Sequence, residues 1–387
     1  MIETSRHLIP VAEPDLGSLE EEYILDAFRS GWVSSCGAYI GRFEKSFAAF
    51  CGAKHAVAVA NGTVAIHLAL VAGGVGPGDE VIVPALTFVA TAAAVRHAGA
   101  IPVFVDSDPE IGTMAPQAVE RAVSAKTKAI IPVHLYGHPA DMDSILGIAR
   151  KNHLIVIEDA AEAHGAKYKG RTVGSMGAMA TFSFYGNKII TTGEGGAVVT
   201  DDDVLEARLR MLKDHAMDPT RRYWHPDLGF NYRMTNLQAA MGCAQLERFG
   251  ELCAKRQRIV NSYRKALQGS AVTINLCRPW ADAVPWLVCA LLPEGVTRAG
   301  RDALMTFLKS QGIDSRPYFY LLCHMPPYAA CRRVGSDGRE DLPAADDLST
   351  RGLNLPSSTY LTESDIAYIA QTLVKQLRLG RGQGTVP

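Results

Sequence analysis

Leu154-Ile155-Val156-Ile157-Glu158-Asp159 is an unbroken apolar run that closes on two carboxylates. A run of this length without alternation reads as a strand buried on both faces. The same pattern recurs upstream, at 57–60, 81–84, 101–105 and 129–135. Helical patterns fall between these runs, at 61–70, 87–97 and 116–123, with another starting near Asp141. Downstream, 181–184 and 197–200 add two further strands. Buried strands separated by helices predict an α/β fold with a mostly parallel central sheet covered on both faces. In such sheets ligands bind outside the carboxyl ends of the strands. Asp159 stands at that edge.

The 387 residues are 48% apolar and 20% charged, enough for a large core and against bulk disorder. A formal net charge of −1 gives no global pull toward nucleic acid or anionic membrane. Eight cysteines are scattered with no CxxC pair, so no zinc or redox site is read and reduced thiols are expected. His134 and His138 are four apart, but Gly137 and Pro139 break any helix between them, so no metal site is expected. No basic-then-apolar leader opens the chain and no apolar run is long enough to span a membrane, so a cytoplasmic protein is expected.

The pattern changes near residue 250. Residues 1–250 read as a large domain, 251–380 as a smaller α+β domain and 381–387 as a tail. Ser18 with Glu21 reads as a capping box opening the first helix, and Phe43, Phe47 and Phe50 repeat at helical spacing as core. Asp203 with Glu206 caps a later helix, and Thr235 opens a long one reaching past Gln257. Between these two helices lies a long polar and aromatic loop, 213–233. Such loops are usually functional or mobile.

The residues with chemistry gather at strand ends. Ala60-Asn61-Gly62-Thr63 joins a strand to a helix through small residues, as a phosphate site at a helix N-terminus requires. Taken alone it is an ordinary strand-to-helix turn. Phe88 follows another strand and either stacks on a flat ring or packs in the core. Asp159 either caps its own loop or holds a pyridinium nitrogen protonated. Glu162 and His164 follow it, as ring or substrate contacts or as satisfied loop groups. His134 and Tyr136 end the preceding strand and can face the same pocket. Thr181-Phe182-Ser183-Phe184-Tyr185-Gly186-Asn187-Lys188 then delivers a lysine on a tight, glycine-flanked turn. One use for such an amine is an imine with an aldehyde cofactor; the plain alternative is a solvated lysine. A phosphate turn, a ring-stacking candidate, a carboxylate and a lysine, in that order, form the kit for pyridoxal 5′-phosphate. Lys188 would hold the aldehyde, Asp159 tune the ring and Phe88 cover it, while Gly62, Thr63 and Ser183 hold the phosphate.

These motifs resemble the DegT/DnrJ/EryC1/StrS family of nucleotide-sugar aminotransferases. The resemblance rests on Asn61-Gly62-Thr63, on Glu158-Asp159-Ala160-Ala161-Glu162-Ala163-His164-Gly165 and on Phe182 to Lys188, and extends from Ile9-Pro10 to Ser357. It implies the aspartate-aminotransferase (type I) fold. It implies Lys188 as Schiff-base lysine and proton shuttle, Asp159 on the pyridine nitrogen and Glu162 near the ring hydroxyl. Asn231 would reach the cofactor phosphate of a neighbouring subunit, so a homodimer with shared sites is expected, with a tetramer left open. A related branch carries His in place of the lysine and removes a hydroxyl; Lys188 points to adding an amine. Val133 to Pro139, Tyr223-Trp224-His225, Asn231 to Asn236 and Arg316-Pro317 point, within the family, to a GDP-linked 4-keto-6-deoxy sugar.

The expected reaction takes an amino group from L-glutamate to the keto carbon of a nucleotide-linked sugar. Arg221 and Trp224 belong to a loop that either closes over the sugar nucleotide or is simply a solvated charged loop. Arg316, Tyr320 and His324 are further substrate-binding candidates. Rival readings are a UDP- or dTDP-linked keto sugar or an 8-keto sugar acid as acceptor, a lyase or desulfurase, and a non-catalytic regulator. A desulfurase needs a mobile catalytic cysteine, and none lies in a recognisable loop near these motifs.

Overall fold

The strand expected at 154–159 spans Ile155–Asp159 and is buried beyond its first residue. The computed structural model describes residues 8–382. The strand lies inside an eight-stranded sheet. Its spatial order is His55–Val59, Gly196–Thr200, Met179–Ser183, Ile155–Asp159, Thr127–Ile130, Glu80–Pro84, Ile101–Val105 and Arg333–Val334. All neighbours pair in parallel except around Gly196–Thr200, which is antiparallel to both of its own. The expected α/β fold is therefore the observed one.

Successive side chains of a strand point to opposite faces. Ile157 accordingly packs with Phe43, Phe47 and Phe182 in one core, and Val156 with Ile82, Val103 and Ile130 in the other. Of the three helical phenylalanines, Phe43 and Phe47 are fully buried and Phe50 packs partly buried against them. The two cores cover the sheet on both sides and leave the carboxyl ends of its strands open.

A third core lies in the C-terminal half. Helices Phe249–Ala266, Arg298–Ser310 and Glu363–Gly382 pack there against a four-stranded sheet. That sheet orders Thr273–Ile274, Val288–Leu291, Gly352–Leu355 and Arg316–Pro317, all antiparallel. The chain's start crosses to this half, where Ile9 bridges Ile313. Arg333–Val334 crosses the other way and edges the large sheet.

Several local expectations shift. Gly17, not Ser18, is the first N-cap, and the Glu20 carboxylate accepts its N–H at 2.7 Å. Asp202, not Asp203, caps the helix Asp203–Lys213 by accepting from Val204 and Leu205. The helix expected from 87 starts at Ala90, because the chain bends at 85–87 after strand Glu80–Pro84. The long helix after Thr235 is two, Asn236–Glu247 and Phe249–Ala266, turning at Arg248. Arg248 is anchored there by ion pairs to Asp15 and Glu20. Helix Glu363–Gly382 takes in the first two residues of the expected tail; 383–387, like 1–7, lie outside the described residues. Among the described residues no helix is long and apolar enough to cross a membrane. All eight cysteines are free.

Candidate active site

The strand ends enclose a cleft of about 620 Å³. It brings together Gly62, Thr63, Phe88, Asp159, Glu162, Ser183, Lys188 and Arg316 from the expected set. Each reaches it for a local reason. Helix Gly62–Ala72 starts where strand His55–Val59 ends, and the Asn61 side chain caps it by accepting from Val64 N–H at 3.0 Å. No protein acceptor meets the N–H groups of Gly62 and Thr63 among the described residues. Two free donors at a helix N-terminus are what an anion binds.

The Ser183 hydroxyl stands beside them. A Cβ on Gly62 would lie 2.7 Å from Ser183 Cβ and 3.3 Å from its Cα. Gly196 approaches the same turn, where its Cβ would meet Asn61 O at 2.4 Å. These glycines keep the cradle narrow and its donors uncovered. Gly62→Val overpacks this point by about 1–3 kcal/mol. It is expected to weaken retention of pyridoxal 5′-phosphate about tenfold, read by equilibrium dialysis with the fold checked by circular dichroism.

Asp159 is buried, and its Oδ2 accepts from the Thr91 hydroxyl at 2.7 Å while Oδ1 accepts from Ala161 N–H at 3.2 Å. Burial raises its pKa, and those two donors partly offset the rise. A carboxylate so placed stabilises a cation brought beside it. Glu162 is buried too; its Oε2 accepts from Tyr136 N–H at 2.8 Å and its Oε1 lies 3.8 Å from Lys188 Nζ. Burial pushes the Glu162 pKa up, with the lysine working against it. Burial pushes the Lys188 amine down, against the pull of Glu162 and Asp159. The lysine turn is closed by Lys188 N–H donating to Tyr185 O at 2.9 Å. Its Nζ lies 3.6 Å from the centre of the Trp286 ring.

The cleft thus holds an anion cradle, a buried carboxylate, a flat-ring neighbour in Phe88 and an amine biased toward its neutral form. Phe88 is exposed at the cleft and not core, with Phe319 5.8 Å away. The residues fit pyridoxal 5′-phosphate on these grounds.

Other expected residues lie elsewhere. His134 lies four residues past strand Thr127–Ile130 and is fully buried; its Nε2 bonds Glu158 Oε2 at 3.0 Å and its Nδ1 accepts from Ala140 N–H at 3.0 Å. Both ring nitrogens are committed, so His134 does not reach the cleft. Tyr136 adopts a left-handed turn, φ 52°. It backs the cleft wall, stacked 5.2 Å from Phe319, while its N–H holds Glu162. His164 is buried beside Phe182 and Phe184, and burial lowers its pKa to about 3, so it is neutral. Arg221 stacks on Trp224 in the exposed loop at 4.3 Å, and neither lines the cleft. Tyr320 lies under Arg298 and Arg301, and His324 faces Arg333 and Glu340 in a separate hollow. Asn231 is exposed and does not line this chain's own cleft.

Thr91, Trp286 and Phe319 are lining residues that the sequence reading missed. Thr91 sits in the first turn of the helix after Phe88, a position its spacing could have marked. Trp286 and Phe319 come from a half of the chain with no strand-end motif to place them.

Comparisons with known proteins agree with this geometry. The sequence profile of the DegT/DnrJ/EryC1/StrS aminotransferase family matches residues 14–374. The chain is 50% identical over 367 residues to a GDP-perosamine synthase of Caulobacter vibrioides, covering 94% of this chain and 97% of that one. It is 44% identical over 365 residues to the GDP-perosamine synthase of Escherichia coli O157:H7, covering 94% and 97%. The putative sugar aminotransferase Spr1654 from Streptococcus pneumoniae, solved in its PMP-form, superposes with a TM-score of 0.90 at 28% identity, covering 97% of this chain and all of that one.

Proposed function

The chain belongs to the DegT/DnrJ/EryC1/StrS aminotransferase family, and from that premise we propose that it makes GDP-perosamine, by moving the amino group of L-glutamate to the keto carbon of GDP-4-keto-6-deoxymannose. Its cofactor is pyridoxal 5′-phosphate. The choice of sugar is carried by the 50% identity to a GDP-perosamine synthase across 94% of the chain.

Pyridoxal 5′-phosphate in this cleft supplies an aldehyde carbon to take up the amino group and a ring to accept electrons. The free N–H groups of Gly62 and Thr63, with the Ser183 hydroxyl, would hold its phosphate. Asp159 would keep the ring nitrogen protonated, steadied by Thr91. Phe88 would cover the ring, and Glu162 would lie toward its hydroxyl. Lys188 would hold the aldehyde and, once displaced, carry the proton off the α-carbon of the donor. Only the neutral amine can take that proton, and burial favours the neutral form. Arg316, at the cleft, suits the diphosphate of the sugar nucleotide through paired hydrogen bonds. Asn231, exposed and off its own cleft, suits the phosphate of a second subunit, so the active unit would be a homodimer.

The reading is tested by incubating the loaded enzyme with L-glutamate and a panel of keto sugars, followed by mass spectrometry. The panel holds GDP-, UDP- and dTDP-linked 4-keto-6-deoxy sugars and an 8-keto sugar acid. Amination of the GDP sugar at least tenfold faster than the others is expected, about 1.4 kcal/mol of discrimination. A faster dTDP or UDP substrate would overturn the choice of nucleotide and leave the reaction class standing.

A further inference from the structure

Arg256 is a buried cation that the proposed reaction leaves without a task. It sits on helix Phe249–Ala266 and is 5% exposed. Its Nη1 donates to Trp286 O at 2.6 Å and its Nη2 to Lys188 O at 3.1 Å, while Nε has no partner. Among the described residues no carboxylate pairs with it. Asp15, the anion that acts on it most, is already bound to Arg248, Lys255 and Thr359. Burying a guanidinium without a counter-charge is costly. Burial lowers even this group's pKa, to about 10, which leaves it charged at neutral pH.

Trp286 completes the arrangement. Its Nε1–H donates to Asn187 O at 2.8 Å, and its N–H to Tyr136 O at 3.4 Å. The carbonyls of Asn187 and Lys188 are therefore both held by side chains from the C-terminal half. Arg256 in turn holds the backbone of Trp286. The turn that carries the lysine is tied at consecutive carbonyls, and the indole that ties it also faces the amine.

We propose that Arg256 and Trp286 are positioning residues for Lys188. The pair staples the lysine turn to the C-terminal half, and the unpaired guanidinium supplies a fixed positive charge beside it. The inference rests on the reading of Lys188 as the residue that holds the cofactor. Four charged or titratable groups act on this amine. Asp159, the last residue of strand Ile155–Asp159, and Glu162, three residues on, favour its charged form; Arg256 opposes them; His164 is neutral. Removing the Arg256 charge leaves the two carboxylates unopposed.

The test is an absorbance titration of the cofactor-loaded protein, which reads the protonation of the lysine–cofactor linkage. Arg256→Gln keeps a donor and loses the charge; its midpoint is expected to rise by about one pH unit, a tenfold change in proton affinity. Arg256→Lys keeps the charge and is expected to titrate near the wild-type midpoint. Trp286→Phe keeps an aromatic face and loses the N–H bond to Asn187. It is expected to release cofactor on dialysis about five- to tenfold faster, from a lost hydrogen bond of about 1 kcal/mol. It should not move the midpoint. An Arg256→Gln midpoint equal to wild type, or equal shifts in the Gln and Lys variants, overturns the role given to the charge. Unchanged dialysis of Trp286→Phe overturns the staple and can be read even where Arg256→Gln fails to fold. A Lys188→Ala protein whose cofactor band titrates at the wild-type midpoint overturns the underlying reading instead.

Discussion

Lys188→Ala is expected to lose about a thousandfold or more of turnover with every keto-sugar acceptor, the range for removing a positioned proton carrier. Neither the other cation of the cleft nor the nearby histidines can replace it. Arg316, the other cation lining the cleft, carries a guanidinium, which donates hydrogen bonds and has no acceptor site for a proton. His164 is sealed among phenylalanines, and His134 is committed at both ring nitrogens. Lys188→Arg is expected to be equally inactive, because it keeps a charge and offers no nucleophile. Both variants should fold, since the contacts of the lysine turn use the backbone carbonyls of Asn187 and Lys188. Single-turnover assays with mass detection, beside thermal melts of each variant, check the expectation. Wild-type turnover in Lys188→Ala with an intact melt would remove the lysine from the mechanism.

The sheet and its open edge were legible because burial on both faces leaves unbroken apolar runs, as at 154–159. Five cleft residues, Gly62, Asp159, Glu162, Ser183 and Lys188, were legible because each ends or closely follows one of three strands. What failed was the placement of His134. It was expected at the substrate because it follows the neighbouring strand. Nothing local says which way the side chain turns, and the structure turns it away onto Glu158. The small-half residues were hidden differently. Trp286 precedes a four-residue strand, and Arg256 lies on a long helix rich in charged residues, so both read as ordinary. Their role depends on how the two halves pack, which spacing along the chain does not encode.

Glu158, the partner of His134, carries the second large expected effect. It is fully buried, and its carboxylate accepts four hydrogen bonds: from Gly174 N–H at 2.8 Å, Met176 N–H at 2.8 Å, Gly177 N–H at 2.7 Å and His134 Nε2 at 3.0 Å. Since His134 Nδ1 accepts from Ala140, the proton sits on Nε2 and the imidazole donates to a charged carboxylate. Burial alone would raise the Glu158 pKa; His134 and the backbone donors more than offset it and hold it below the usual carboxylate value. Glu158→Ala strands these donors in the core and is expected to cost about 3–5 kcal/mol, read as a fall in the urea midpoint. Glu158→Gln keeps one acceptor oxygen and turns an NH₂ toward two donors, so an intermediate loss is expected. The sign with pH follows from a depressed folded-state pKa. The stabilisation is present above the unfolded value of about 4.5 and is lost as pH falls through the folded one. The gap between wild type and Glu158→Ala should therefore hold steady near neutral pH and narrow below about 4.5. The neighbour would suffer as well. Asp159 N–H donates to Pro132 O at 2.8 Å and Asp159 O accepts from His134 N–H at 3.0 Å. The segment that Glu158 anchors through His134 is thus the one that sets the height of Asp159 in the cleft. Loss of cofactor on dialysis should accompany the fall in stability, and equal urea midpoints for the three proteins would refute this account.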